Sequence, residues 1–179
     1  MDELRHAMEI INRNARLQLR LVEDLLDLNR VSRGHITLDV EAHDLSAAIL
    51  LPSLESTRFT AETKHVEVEF EGATEPVLVE GDALRLQQIF TNVLSNAVKF
   101  TPQGGCVRVT LTGETETAVV KIRDTGKGIA PEFLPHVFEV FQQQESEIPK
   151  SNSGLGIGLA LVKYLVGLHG GNIEIASEG

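Results

Sequence analysis

Apolar and small residues recur at Leu4, Met8, Ile11, Ala15, Val22 and Leu25, a heptad spacing unbroken by proline or glycine from Met1 to about Val31. A second line through Ile10, Leu17, Leu21 and Leu28 widens the stripe beyond a two-stranded seam, which predicts a long helix packed in a bundle. One helix is not a bundle, so its partners come from elsewhere. Arg33 and Gly34 mark its stop, with Gly34 suited to a left-handed cap.

The period then shortens. Ile36 to Val40 alternates like a strand, and Asp44 is placed to cap a helix over Leu45 to Glu62, interrupted near Pro52. His65 to Phe70 and Pro76 to Glu80 read as extended, and Asp82 is placed to cap a strongly patterned helix reaching Phe100. After Gly104-Gly105, Val107 to Thr112 and Thr117 to Arg123 form a predicted hairpin about Gly113-Glu114. Pro131 opens a short predicted helix, Gln142 to Ser153 is polar and irregular, Gly154 to Leu168 reads as helix, and Asn172 to Ala176 as a final strand. The sum is an α+β fold: a two-layer α/β sandwich, its mixed sheet covered by helices on one face, preceded by a long bundle-forming helix.

Composition narrows the partners. The 179 residues are 42% hydrophobic, enough for one ordinary core. A net charge of −10 supplies no field to gather nucleic acid or anionic lipid, so neither nucleic acid nor a membrane is an expected partner of this piece. An anionic ligand would have to be held by local devices such as a lysine, glycine amides or a metal. Cys106 is the single cysteine, which excludes an intrachain disulfide and a cysteine-built metal site. No apolar run approaches the roughly 18 to 20 residues that cross a bilayer. The piece reads as cytoplasmic, although a parent protein could be anchored upstream.

Three segments carry candidate chemistry. Asn92, Asn96 and Lys99 fall at i, i+4 and i+7 of the predicted Asp82 helix, which aligns two neutral oxygens and one cation on one face. Such a face suits Mg-nucleotide binding, and equally describes a solvated helix surface. Asp124-Thr125-Gly126-Lys127-Gly128-Ile129 follows a predicted strand. Its carboxylate only accepts hydrogen bonds, so it suits an adenine amino group and opposes a guanine carbonyl; one charged bond of about 1.5–3 kcal/mol corresponds to a roughly ten- to hundredfold preference. Taken alone, the same pattern also describes a surface turn. Gly154-Leu155-Gly156-Ile157-Gly158-Leu159 leaves amides free at a helix start. It neither sits in a βαβ unit nor carries a Walker lysine, so dinucleotide and P-loop readings fail their context.

In order, Asn92 to Phe100, Asp124 to Ile129, Phe138-Glu139-Val140-Phe141 and Gly154 to Leu159 resemble the N, G1, F and G2 boxes of histidine kinases, and Met1 to Val31 resembles the second helix of their dimerisation and phosphoacceptor hairpin. The resemblance implies two parts: residues 1–34 as that partial hairpin, and 35–179 as an ATP-binding catalytic domain lacking its last strand. It implies ATP and Mg2+ as cofactors, Asn96 on the metal, and Asn92 and Lys99 at the phosphates. Asp124 would meet adenine within a wall that includes Phe100, Gly126, Gly128 and Ile129. Gly154, Leu155, Gly156 and Gly158 would lie near the phosphates, and Gln142 to Ser153 would form a lid. Phe138 and Phe141 would pack the lid's base, although aromatics so spaced are more often core. Lys127, Lys150 and Arg85 read as solvated, with reach to a phosphate as the alternative.

The chain departs from the family in lacking the His-Glu phosphoacceptor motif. His6 has no adjacent acid and reads as ordinary, and His169, beside Gly170-Gly171, reads as structural. A longer product is therefore expected to supply the histidine, to dimerise through the hairpin bundle and to pass the phosphoryl group to a response-regulator receiver domain. The gyrase-like and chaperone ATPases of the same fold carry a glutamate base where this chain has Asn92, and an amide cannot take a proton from water. A nucleotide-binding module without activity is the second rival, which the four intact boxes oppose.

Overall fold

The computed structural model describes residues 36–114, 116–143 and 155–178, together with Met8, Ile11, Ala15, Gln18, Leu19, Val22 and residues 25–27. The described positions from Met8 to Asp27 are all helical, and every one except Asp27 is exposed. Beyond them the chain is an α+β sandwich whose strands divide into two sheets. Strand β1 (Glu41–Asp44) pairs antiparallel with β3 (Leu78–Gly81), and β2 (Glu67–Glu71), β4 (Cys106–Gly113) and β5 (Ala118–Asp124) form the order β2-β4-β5. β2 runs parallel to β4 and β5 antiparallel to it, so the larger sheet is mixed.

The alternation along β4 explains which face the helices cover. Val107, Val109 and Leu111 are buried while Arg108 and Thr112 are exposed. Against the buried face lie α1 (Leu51–Lys64), which contributes Ala61, and α2 (Ala83–Phe100), which contributes Leu94, Ala97 and Val98. Leu94 is fully buried, a burial worth about 1.5–3 kcal/mol for a side chain of its size. Helix α3 (Gly158–Leu168) stacks on α2 through Leu161, Val162 and Leu165 around Ile89.

Both predicted caps form. Asp44 accepts from the amides of Ser46 (2.9 Å) and Ala47 (3.3 Å), and Asp82 from those of Leu84 (3.0 Å) and Arg85 (3.1 Å). Asp44 opens a wide-turned π-helical segment, Leu45–Leu50, which changes to regular α1 just ahead of Pro52, where the interruption was expected. His169 is structural: its Nε2 accepts the Asp82 N–H at 3.1 Å, and its Nδ1 lies 2.7 Å from the Leu165 carbonyl oxygen. It thereby ties the end of α3 to the start of α2.

Four expectations shift. The first strand is Glu41–Asp44 rather than Ile36 to Val40, because its partner β3 sets the register, Glu41 opposite Gly81. Pro131 opens turns and a single 3-10 turn, Leu134–His136, instead of an α-helix. The last helix starts at Gly158 because Gly156 sits at φ 70°, outside the helical region. Asn172 to Ala176 is not paired into either sheet; among this tail's ties to the sandwich, Ile173 packs on the Ile89–Leu165 cluster and Ser177 Oγ accepts the Ile129 N–H at 2.8 Å.

Candidate functional site

Helix α2 brings Asn92, Asn96, Lys99 and Phe100 to the region where β5 ends and α3 begins. Two glycines show how closely the three segments meet. A Cβ on Gly158 would lie 3.8 Å from the Asn92 side-chain carbon, which sets the glycine-rich helix start against the polar face of α2. A Cβ on Gly126 would come within 2.9 Å of the Phe100 carbonyl oxygen and 2.5 Å of Asp124 Oδ1, so only glycine fits between the end of α2 and the turn after β5.

Within that turn the exposed Asp124 accepts the Gly126 N–H at 2.8 Å, which orients the carboxylate and leaves acceptor capacity facing solvent. Gly128, at φ 72°, bends the chain onward to Ile129. Thr125 anchors the turn to β4: its N–H donates to the Cys106 carbonyl (3.0 Å) and its Oγ1 accepts the Cys106 N–H (2.9 Å).

Asn92 carries the most telling imbalance. Its Nδ2 is buried without a hydrogen-bond partner among the described residues. An unsatisfied buried polar group costs about 1–3 kcal/mol, so it marks a place where a ligand acceptor belongs. Lys99 is half-buried, and desolvation pushes its pKa down. Its Nζ lies 4.8 Å from the centroid of the Phe100 ring, and Lys127 Nζ lies 5.8 Å from the same ring. Two cations thus flank one aromatic in a chain of net charge −10. With the orphaned amide, this donor set fits a polyanionic nucleotide, and a neutral amide oxygen such as that of Asn96 would suit a hard cation.

The glycine-rich segment is also bound from below. Gly156 O accepts the Phe141 N–H at 3.0 Å, and a Cβ on Gly156 would sit 2.6 Å from the Gln142 carbonyl oxygen. Phe141 is 63% exposed, so it is not core as aromatics so spaced more often are, and Phe100 is 36% exposed. Phe138 is half-buried under Lys163, whose Nζ is 5.3 Å from its ring. Leu155 is exposed and Ile157 buried, so the loop points one side chain out and one into the core. Gly154, Lys150 and most of the expected lid lie outside the described residues, as does His6.

Arg85 serves neither of its expected roles. Its Nη1 lies 2.7 Å from Asp27 Oδ2 and 2.8 Å from Gln88 Oε1, while Gln88 Nε2 donates to the same carboxylate oxygen at 2.9 Å. This network joins the N-terminal helix to α2, and nothing in local sequence reveals a pairing between positions 58 residues apart.

Residues 81–179 match the family model "Histidine kinase-, DNA gyrase B-, and HSP90-like ATPase". The chain belongs to that family, as the ATP-binding catalytic domain of a sensor histidine kinase. It is 33% identical over 177 residues to hybrid signal transduction histidine kinase D of Dictyostelium discoideum, covering 96% of this chain and 11% of that protein. In structure it is similar to the Acinetobacter baumannii histidine kinase AdeS, with TM-score 0.77, 23% identity, and coverage of 96% of this chain and 78% of the other, a likeness of fold. It is also similar to full-length ShkA in complex with AMPPNP, with TM-score 0.71, 30% identity, and coverage of 84% of this chain and 30% of that one. The chain thus spans about a tenth of the length of its Dictyostelium relative. None of the described helices is long and apolar enough to cross a membrane.

Proposed function

We propose that this chain holds Mg-ATP between the last turns of α2, the Asp124–Ile129 turn and the start of α3, and aims the γ-phosphate at a histidine carried on a separate hairpin helix. The observation that carries the reading is the buried, unpartnered Asn92 Nδ2 facing Gly158, with Lys99 two turns further along the same helix face. Asp124 accepts the adenine amino group, with Phe100, Gly126, Gly128 and Ile129 forming the surrounding wall. Asn92 and Lys99 meet the phosphates, and the backbone from Gly154 and Leu155 to Gly156 and Gly158 lines them. Asn96 would hold the metal, which would supply positive charge to the phosphates. ShkA, solved with AMPPNP, supports a nucleoside triphosphate as the ligand class.

Transfer of this kind needs positioning more than acid–base chemistry, and no residue of this chain is assigned as a proton acceptor. Asn92 stands where the hydrolytic relatives are expected to carry glutamate, which favours a kinase over an ATPase motor. In the whole protein, a homodimer built through the hairpin bundle brings the site to its histidine, and a response-regulator receiver domain takes the phosphoryl group in the cytoplasm.

Calorimetry tests this reading. Wild type should bind ATP with magnesium and lose affinity in chelator, and Asp124→Asn should weaken binding at least about tenfold, as loss of a charged hydrogen bond predicts. Near-normal affinity in Asp124→Asn would remove its adenine role; affinity unchanged by chelator would remove the metal from Asn96.

A further inference from the structure

An α-helix leaves its last four carbonyls without intrahelical partners. In α2 these belong to Ala97, Val98, Lys99 and Phe100, the stretch that bears the candidate phosphate and adenine contacts. Ala97 O is satisfied locally by the Thr101 N–H (3.0 Å) and the buried Thr101 Oγ1 (2.7 Å). Phe100 O abuts Gly126. The remaining two are closed by one foreign side chain: Lys64 Nζ donates to Val98 O at 2.9 Å and also to Lys99 O.

Lys64 is itself fixed. It is the last residue of α1, and the chain reverses through His65 in the left-handed conformation, φ 56° and ψ 42°. His65 O then accepts the Gly104 N–H at 2.8 Å, and the Glu67 N–H donates to Gly105 O at 2.9 Å. The end of α1 is thus stitched to the loop that leaves α2, and Gly105 in that loop packs against Thr125 of the turn after Asp124. Burial pushes the Lys64 pKa down, while its charge counters the negative end of the α2 dipole.

We propose that Lys64 is a positioning residue for the phosphate end of the nucleotide site, acting through the backbone of Lys99. It acts on the backbone: two of its three donors are directed at α2 carbonyls. By pinning those carbonyls it sets where the Lys99 ammonium stands, and a displacement of about 1 Å at such a site costs on the order of a hundredfold in effectiveness. The Asp124 carboxylate has a bond of its own, to the Gly126 N–H, and its turn is anchored to β4 by the two Thr125–Cys106 bonds, so the adenine end depends on Lys64 less than the phosphate end does.

This inference rests on the nucleotide reading, and its test separates the two. Wild type, Lys64→Met and Lys64→Arg would each be titrated with Mg-ATP and with adenosine, their folding followed by circular dichroism. Lys64→Met should raise the ATP Kd about tenfold while shifting the adenosine Kd by less than about twofold, since chiefly the phosphate end loses its alignment. Lys64→Arg, which keeps a cation and its donors, should recover ATP binding to within about threefold of wild type. Should Lys64→Met fail to fold, Lys64→Gln, with an uncharged amide in place of the ammonium, should show an ATP Kd between that of Lys64→Arg and a roughly tenfold loss, with adenosine again within about twofold. Equal losses of ATP and adenosine, or an unchanged ATP Kd in a folded variant, would overturn the proposal alone. A wild-type chain that binds neither ligand would remove the nucleotide reading and this proposal with it.

Discussion

The two halves of α2 are built to opposite rules. In its first turns every polar side chain named above has a protein partner: Asp82 caps, Arg85 and Gln88 share Asp27, and Gln87 donates to the Ala48 carbonyl at 2.7 Å. In its last turns Asn92 is left with a buried, unpartnered amide, and Lys99 and Lys127 crowd one exposed ring. One helix, amphipathic throughout, is closed at one end for stability and left unsatisfied at the other, where a ligand would complete it. An anomaly in hydrogen bonding is thus more informative than exposure, since Asn92 and Arg85 are both half-buried and only one lacks its complement.

The largest expected effect breaks the satisfied end. Asp27 is buried and Arg85 half-buried, and removing one partner of a buried pair typically costs about 3–5 kcal/mol. Arg85→Ala should lower unfolding stability in urea by about 3 kcal/mol. A loss under about 1 kcal/mol would mean that the N-terminal helix moves off α2 and rehydrates Asp27, and the contrast would weaken.

A middle effect belongs to the cap. Asp82→Ala should cost about 1 kcal/mol by equilibrium unfolding. Burial alone would raise the Asp82 pKa, but the amides of Arg85, Asp39 and Leu84, with the Arg85 charge, hold it below the ordinary carboxylate value. A lowered folded pKa gives stability that is present above the unfolded value of about 3.9 and lost as pH falls through the folded one. The stability gap between wild type and Asp82→Asn should therefore close in that acid window. A gap unchanged down to the lowest folded pH would mean that the cap's charge contributes nothing.

The smallest effect on stability probes the unsatisfied end. Asn92→Leu replaces an orphaned amide by a similarly branched apolar group, so the free protein should stay within about 1 kcal/mol of wild type or gain that much. ATP affinity should fall in the same variant. If stability instead drops by several kcal/mol, the amide has a structural partner and the two ends of α2 are alike.

What the sequence made legible divides along similar lines. The Asp82 cap and the full extent of α2 were readable because cap, period and stop are local signals over a long element. The four-residue β1 was misplaced because its position depends on β3, whose pairing residues stand about forty positions away. Lys64 escaped notice for the same reason: a lysine ending one helix gives no local sign that its targets are carbonyls 34 and 35 residues later. At the site, Asn92, Asp124 and the glycines were visible as patterns, whereas the lysine pair around Phe100 became visible only once α2 and the Asp124 turn were in place.

The order β2-β4-β5 leaves β2 as a rim, and its sequence Glu67-Val68-Glu69-Phe70-Glu71 turns Val68 and Phe70 toward the core. Along the other side stand three glutamates, of which Glu69 is held by Arg108 at 2.7 Å. An open strand rim is a template for another chain's backbone, and a row of like charges is one of the few ways to spoil it. Two molecules joining antiparallel at this rim would set glutamate against glutamate. The acidity that repels nucleic acid thus also guards against strand-to-strand aggregation.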